Sequence, residues 1–441
     1  MNERQRNVIV GIDVGTTKIC TIVGKYDCDA IGSGHLGGGA PTSLSTSSHP
    51  KLRIIGIGNV PSLGLKKGMV VNLDKTIFSI KNSIREAKKA TKIEIDEAYI
   101  SVAGIHIGSF NNQAEIMIRN SSGIITLRDV ERAIEEVKNV VIPEDRKILH
   151  VIPQEFRVDG ISGIKNPVGM CGTKLEISSH IITGTISALQ NLNKCVENAG
   201  VKVKNFILQP LASSVASLSE EEKNLGVVLL DIGGGTSDLA IWKRGALIYS
   251  QSIPIGGNHF TNDLAVALNT AYGEAEKIKL NYGNVLFDRI NLDRMNRSAH
   301  VSVYGLNGSN DRCREIPIHY VSKVLCASSE ELFRVINRII DEKNLRKDLI
   351  VGMVLTGGGA RIRGLNLLAE PIVNMPVKIG NPLHLKEAEG IIQLPEFSTA
   401  VGLLMVAYRQ EVERNNRLEK NNFDIVYKLN RSLRSIFKEI F

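Results

Sequence analysis

The chain is 441 residues long, with 43% hydrophobic and 23% charged residues, a globular composition that excludes disorder and is too long for one small core. Its net charge of +8 is compatible with nucleic acid or with an anionic membrane, but aromatics are only 5% and no RNA- or DNA-binding signature occurs, so no nucleic-acid partner is expected. Six scattered cysteines form no Cys-x-x-Cys pair, which leaves a disulfide framework and a zinc site without support.

The first segment reads as strand, turn, strand: Asn7 to Asp13, then Ile19 to Lys25. It carries no signal-peptide core, and no stretch approaches the ~20 apolar residues needed to span a bilayer, so a cytoplasmic chain is expected. Residues Cys28 to Pro50 are rich in Gly, Ser and Thr without an apolar period and read as a loop; Leu52 to Val60 resumes the sheet. Leu73 to Ala90 has a helical apolar face (Ile77, Ile80, Ile84, Ala87), with Asp74 suited to cap it. Ala98 to Ala103 reads as a strand, Thr126 to Val140 as a helix and Lys147 to Val158 as extended chain, a strand–helix–strand pattern of its own that suits a separate small subdomain.

Beyond Pro167, strands at His180 to Thr185, Asn205 to Leu208, Gly226 to Asp231, Asp238 to Lys243 and Gly352 to Thr356 alternate with helices at Ser187 to Ala199, Phe260 to Thr270, Ser328 to Glu342 and Ser398 to Arg409. Alternation of this kind predicts α/β architecture with covered sheets. Residues 409–422 are almost wholly polar and read as a linker. In the tail, 423–441, helical spacing gathers Ile425, Val426, Leu429, Leu433, Ile436, Phe437, Ile440 and Phe441 on one side, with Asn430 intruding, and Lys428, Arg431, Arg434, Lys438, Asp424 and Glu439 on the other. A cationic polar face opposite an apolar one suits a helix lying in an anionic membrane interface; the alternatives are a helix docked on the protein's own core and a coiled-coil strand.

Three glycine-rich turns carry the chemistry. A strand ending in Asp13 runs into Gly15-Thr16-Thr17-Lys18, and a second ending in Asp231 runs into Gly233-Gly234-Gly235-Thr236-Ser237. A third strand runs into Gly357-Gly358-Gly359. Successive backbone N–H groups in such turns form concavities for phosphate oxygens, and the hydroxyls and Lys18 add to them. Carboxylates at Asp13 and Asp231 suit Mg²⁺, a hard ion that keeps its waters. Taken singly each turn is weak, and no Walker or complete dinucleotide fingerprint occurs; the repetition of strand, Asp, Gly and Thr raises the signal.

Together the three turns resemble the two phosphate motifs and the adenosine motif of the actin, sugar-kinase and heat-shock chaperone superfamily. That resemblance implies a two-lobed actin-like (duplicated ribonuclease H-like) fold that takes ATP and Mg²⁺. It places Gln209 where the attacking water is oriented, and Glu276 and Lys279 beside the adenosine. The stretches His150 to Phe156, Asn166 to Met170, Ile255 to Asn258 and Thr261 to Ala265 are similar to the FtsA family of bacterial cell-division proteins. Membership would imply lobes at 7–97 with 165–208 and at 209–282 with 345–408, an inserted subdomain at 98–164 and an outer subdomain at 283–344. It would also imply self-association, binding to FtsZ filaments and other division proteins, a peripheral place on the cytoplasmic face of the inner membrane, and slow or no ATP hydrolysis. An actin-like pilus-assembly protein of the PilM type and a small-molecule kinase of the same fold remain the alternatives.

Overall fold

Two five-stranded sheets of identical topology organise the molecule, and each starts from one of the Asp-ended strands. In the computed structural model, which describes residues 7–26, 52–286, 299–305, 313–383 and 390–420, β1 (Val8–Val14), β2 (Lys18–Tyr26) and β3 (Leu52–Pro61) form an antiparallel meander. A small hairpin, β4 (Leu65–Lys66) with β5 (Met69–Val70), leads into α1 (Leu73–Thr91), and β6 (Glu97–Val102) returns parallel to β1. The N-cap of α1 is Asn72, whose side chain accepts from the Lys75 N–H. Asp74, expected to cap, lies inside the first turn, because the extended backbone that a cap requires falls at 72.

Next comes a separate four-stranded sheet, order β7-β10-β8-β9, built from β7 (Ile107–Met117), β8 (Arg146–Val158), β9 (Ile161–Ile164) and β10 (Lys174–Thr185). The helix α2 (Leu127–Lys138) covers it with Val130, Ala133, Ile134 and Val137, and Thr126 and Asp129 close a reciprocal cap at its start. Topology moves both edges of this inserted unit from the 98–164 expected. Residues 97–102 pair with β1 and belong to the first lobe, while β10, well beyond 164, is an inner strand of the insert.

The chain re-enters the first lobe through α3 (Ile186–Asn198) and β11 (Lys202–Leu208), completing the order β11-β6-β1-β2-β3. After α4 (Gln209–Ser217) and α5 (Glu220–Leu225) the pattern repeats. A meander of β12 (Val227–Ile232), β13 (Ser237–Lys243) and β14 (Ala246–Ile253) precedes α6 (Gly257–Leu268), α7 (Tyr272–Tyr282), the hairpin β15 (His300–Tyr304) with β16 (Cys313–Pro317), and α8 (Ile318–Glu342). Then β17 (Gly352–Thr356) pairs parallel with β12 and, after α9 (Leu365–Val373), β18 (Val377–Ile379) pairs parallel with β17. The order β14-β13-β12-β17-β18 reproduces that of the first sheet strand for strand. The last described element is α10 (Ser398–Lys420).

Strands buried on both faces explain the near-continuous apolar runs. Along β12, Val228 and Leu230 face Phe260, Leu264 and Phe333 of α6 and α8, whereas Val227 and Leu229 face the other way, toward Leu211 of α4. The first sheet packs one face on α1 and α3, with Ile12, Ile100, Ile80 and Leu189 in contact range of one core. Its other face carries Ile22, Tyr99 and Ile207 against Val215 of α4 and Val401 and Leu404 of α10. The pair α4 and α10 therefore lies between the two sheets.

Two helices run longer than the sequence pattern indicates. α8 begins at Ile318, since Ser322, Ser328 and Ser329 interrupt the apolar period without breaking the helix and are themselves buried. α10 continues to Lys420, through most of the stretch read as a linker. That stretch holds neither Gly nor Pro and is rich in Arg and Glu, residues that propagate an established helix. The loop at 28–50 and the tail residues Ile425, Val426, Lys428, Leu429, Arg431, Leu433, Arg434, Ile436, Phe437, Lys438 and Ile440 lie outside the described residues. Among the described residues, no helix is long and apolar enough to cross a membrane.

Candidate nucleotide site

The two hairpin turns meet tip to tip at the C-terminal ends of the strands that open the two sheets. Gly15 N–H donates to the Lys18 carbonyl and Gly233 N–H to the Thr236 carbonyl, so both turns close in the same way. Thr17 abuts Gly234 so closely that a β-carbon there would lie 2.3 Å from the Thr17 methyl; one at Gly235 would lie 2.7 Å from the Thr16 hydroxyl. Only glycine admits this approach. The hairpin β4–β5 completes the wall, with Gly68 N–H donating to Thr16 Oγ1 at 3.3 Å.

Behind the first turn, Asp13 is buried and accepts at Oδ1 from Ser101 Oγ at 2.7 Å and from Gln209 Nε2 at 3.1 Å. Burial holds its carboxyl above the ordinary range, opposed by the Lys18 charge and by both hydrogen bonds. Asp231 is the counterpart across the cleft and accepts from Thr399 Oγ1 at 2.9 Å. Burial pushes it up to about 6, with the Thr399 bond opposing and the charge of Asp13 adding to the rise. A third acid, Asp238, pairs with Asp231 across β12 and β13 and is pushed up to about 7, again chiefly by burial.

Carboxyls held this way are short of positive charge, and a bound cation reverses the effect of burial. No group of three or more His, Cys, Asp or Glu side chains close enough to ligate a metal directly occurs among the described residues. Two buried carboxyls, Asp13 and Asp231, are the hard oxygen donors that Mg²⁺ prefers, and in that sense the residues fit the ion.

Lys18 sits at the cleft wall, its Nζ donating to the Glu396 carbonyl and lying 3.8 Å from the centre of the Phe397 ring. Glu396 and Phe397 belong to the turn before α10, which also bonds the third glycine turn: Gly357 N–H donates to the Pro395 carbonyl at 3.1 Å. Gly357 has φ of +83°, and a β-carbon on it would lie 2.3 Å from Asp231 Oδ1. Gly359 packs against Ile232, whereas a β-carbon on Gly358 would make only ordinary contact, 3.9 Å from the Glu396 β-carbon.

Glu276 and Lys279, both on α7, form an ion pair at 2.8 Å. Lys279 Nζ also donates to the Gly257 carbonyl at 3.0 Å and to Thr261 Oγ1 at 2.7 Å. Gly257 N–H in turn donates to the Gly233 carbonyl and Asn258 N–H to the Gly234 carbonyl, so this pair is one residue removed from the second glycine turn. Thr236 Oγ1 lies 3.4 Å from Asp238 Oδ2, and Ser237 Oγ is spent on the Ile255 carbonyl. The structure thus brings all of the expected turn residues, both acids and Gln209 to one cleft. Sequence reasoning missed Ser101, Thr399 and Asp238. Only Asp238, a carboxylate two residues past the turn, left a signal that could have been followed.

Comparison with known proteins turns this geometry into a family. A family model described as "Cell division protein FtsA" matches residues 228–402, and a model of the SHS2 domain inserted in FtsA matches 104–183, close to the bounds that the insert's strands define. The cell-division protein FtsA of Neisseria meningitidis serogroup B is 35% identical over 410 residues, covering 93% of this chain and 92% of that one. The chain belongs to the FtsA family. The FtsA proteins of Pseudomonas aeruginosa, 36% identical over 92% of this chain and 90% of that one, and of Borreliella burgdorferi, 36% identical over 94% of each, agree. Among solved structures, a PilM–PilN type IV pilus biogenesis complex covers 91% of this chain and 98% of that one, at 15% identity and a TM-score of 0.61. The ADP-bound MreB5 of Spiroplasma citri covers 95% and 99%, at 14% identity and a TM-score of 0.51. Identities this low speak for a shared actin-like fold alone. This FtsA-family chain is thus a cell-division protein on an actin-like frame, and the kinase and pilus readings give way to it.

Proposed function

We propose that this chain binds Mg-ATP between its two lobes, assembles with copies of itself, and tethers FtsZ filaments to the cytoplasmic face of the membrane, where it recruits later division proteins. The observation that carries the reading is the duplicated hairpin: two phosphate-type turns in contact, each backed by a buried Asp at the end of its sheet's first strand. Gly15 to Lys18 would cradle one side of the phosphates and Gly233 to Thr236 the other. Bound Mg²⁺ would neutralise the phosphates and the buried acids, and Asp13 and Asp231 would hold it through its waters. Gly357 to Gly359, with Glu276 and Lys279, would flank the adenosine. Lys18 would exchange the Glu396 carbonyl for a phosphate oxygen, a stronger, charge-assisted partner.

Gln209 would position the attacking water. An amide is no general base, so turnover would be slow, and ATP would act mainly by holding the lobes together and favouring self-association. A single tail helix binds a membrane reversibly; many copies in one filament raise the avidity by roughly two to four orders of magnitude.

Calorimetric titration with Mg-ATP tests the site. Asp13→Ala and Asp231→Ala are each expected to weaken binding at least tenfold, on the scale of a lost charged partner. Unchanged affinity in either variant would refute the metal roles assigned here.

A further inference from the structure

Ser101, at the end of β6, has no motif around it and no exposed surface, yet it touches three groups of the cleft. Its Oγ donates to Asp13 Oδ1 at 2.7 Å and accepts from the Val14 N–H at 3.0 Å and from Gln209 Nε2 at 3.1 Å. A hydroxyl has one proton and two lone pairs, so these bonds use it completely. Their directions are also forced. The Val14 N–H can only donate and the Asp13 carboxylate can only accept, so the hydroxyl proton goes to the carboxylate and the remaining lone pair faces Gln209.

The same count applies to Gln209. Its amide nitrogen has two protons, one bonded to Ser101 Oγ and one to Asp13 Oδ1. A flipped amide would set its carbonyl oxygen against the Asp13 oxygen, two acceptors face to face. The network therefore fixes the amide orientation that is ordinarily ambiguous between oxygen and nitrogen. Asp13 and Ser101 are buried, whereas Gln209 is only half-buried, so the carbonyl oxygen is the end turned away from the buried pair. An oxygen in that place accepts an O–H from a water and leaves the water's lone pair free for a phosphorus atom.

We propose that Ser101 is a positioning residue of the nucleotide site, locking the Asp13 carboxylate to the exit of β1 and turning the Gln209 carbonyl oxygen toward the water that attacks the nucleotide. It acts through Asp13 and Gln209 and does not itself touch the ligand. The inference rests on the Mg-ATP reading above.

Three elements meet at this hydroxyl: the end of β6, the end of β1 and the first residue of α4. β1 continues directly into the first phosphate turn, and α4 spans the space between the lobes. A change at Ser101 is therefore felt by the metal-holding acid and by the water-holding amide together, which separates it from an ordinary buried serine.

The test compares ATP binding with Mg²⁺ and with the metal chelated, together with the unfolding midpoint without nucleotide, for wild type, Ser101→Ala and Ser101→Thr. Ser101→Ala should lose about tenfold in Mg-ATP affinity, the cost of removing one bond to a charged group, with metal-free ATP affinity within about twofold of wild type. Ser101→Thr keeps the hydroxyl and should recover most of the loss. In the double variant Ser101→Ala with Gln209→Ala, the two losses should fall short of adding, because both bonds converge on Asp13 Oδ1. Undiminished Mg-ATP affinity in Ser101→Ala overturns the proposal. So do equal losses with and without Mg²⁺ accompanied by a lower midpoint, which would mark a residue that only packs. Failure of the wild-type chain to bind ATP at all would instead bring down the nucleotide reading, and this proposal with it.

Discussion

A handful of buried polar side chains do most to set the character of this protein. His180 on β10 bonds Asn111 Oδ1 at 2.6 Å and Ser250 Oγ at 2.9 Å, joining the insert to β14 of the second lobe. Ser109 Oγ donates to the Ser250 carbonyl and Asn111 Nδ2 to the Ile248 carbonyl across the same seam. Burial pushes His180 down to about 4, so at neutral pH it is an uncharged imidazole. The linkage sign follows from the two states: between pH 6.5 and 4 the unfolded chain takes up a proton that the folded one refuses, and stability falls as the pH falls. Replacing His180 by Gln should flatten that loss, by on the order of 3 kcal/mol at about pH 4, in denaturant unfolding monitored from pH 7 to 4. An unchanged slope would show that His180 takes up its proton without cost in the folded state. None of these contacts was legible beforehand. His180, Ser101 and Thr399 are isolated residues whose partners lie far away in sequence, and only the turn residues, gathered in short motifs, announced themselves.

Elements were legible where their pattern is local. The strands bearing Asp13 and Asp231, the strand that leads into Gly357 and the helix α2 were placed within a few residues, because alternation, caps and glycine turns are read from neighbours. Membership in a sheet is not local, which is why β10 was assigned to the first lobe while pairing with β7 and β8. The same holds for the crossing of α10 over α4. There Gly402 packs so tightly that a β-carbon would lie 1.8 Å from the Ala212 carbonyl oxygen. On helix propensity alone Gly402→Ala would gain about 1 kcal/mol. The clash is with backbone and cannot be relieved by a rotamer change, so overpacking of about 1–3 kcal/mol or more should win. Thermal unfolding is expected to show a lower midpoint for Gly402→Ala; a higher one would mean that α10 and α4 are less closely seated.

At the scale of the whole molecule, duplication is the organising fact. Each half contributes a meander, a turn and a buried acid, and the proposed two-sided phosphate site needs both halves. The sequence announced this through the repeated Asp-Gly-Thr pattern, and the FtsA resemblance agrees with the relatives found across nearly the full chain. The insert meets the second lobe through the hydrogen bonds of Ser109, Asn111 and His180 and through one apolar cluster that joins Val151, Phe156 and Leu175 to Leu229, Trp242 and Leu247. The basic sequence that follows α10 is the part the tethering reading depends on, and the same reading needs it and FtsZ to be engaged at once.

Flotation of anionic vesicles with FtsZ filaments and Mg-ATP tests this most directly, using the full chain and a chain ending at Lys420 that retains α10. The account predicts that FtsZ floats with the vesicles when the full chain is present and stays in the dense fraction with the shortened one. FtsZ left behind in both cases, or carried up equally by both, would contradict it.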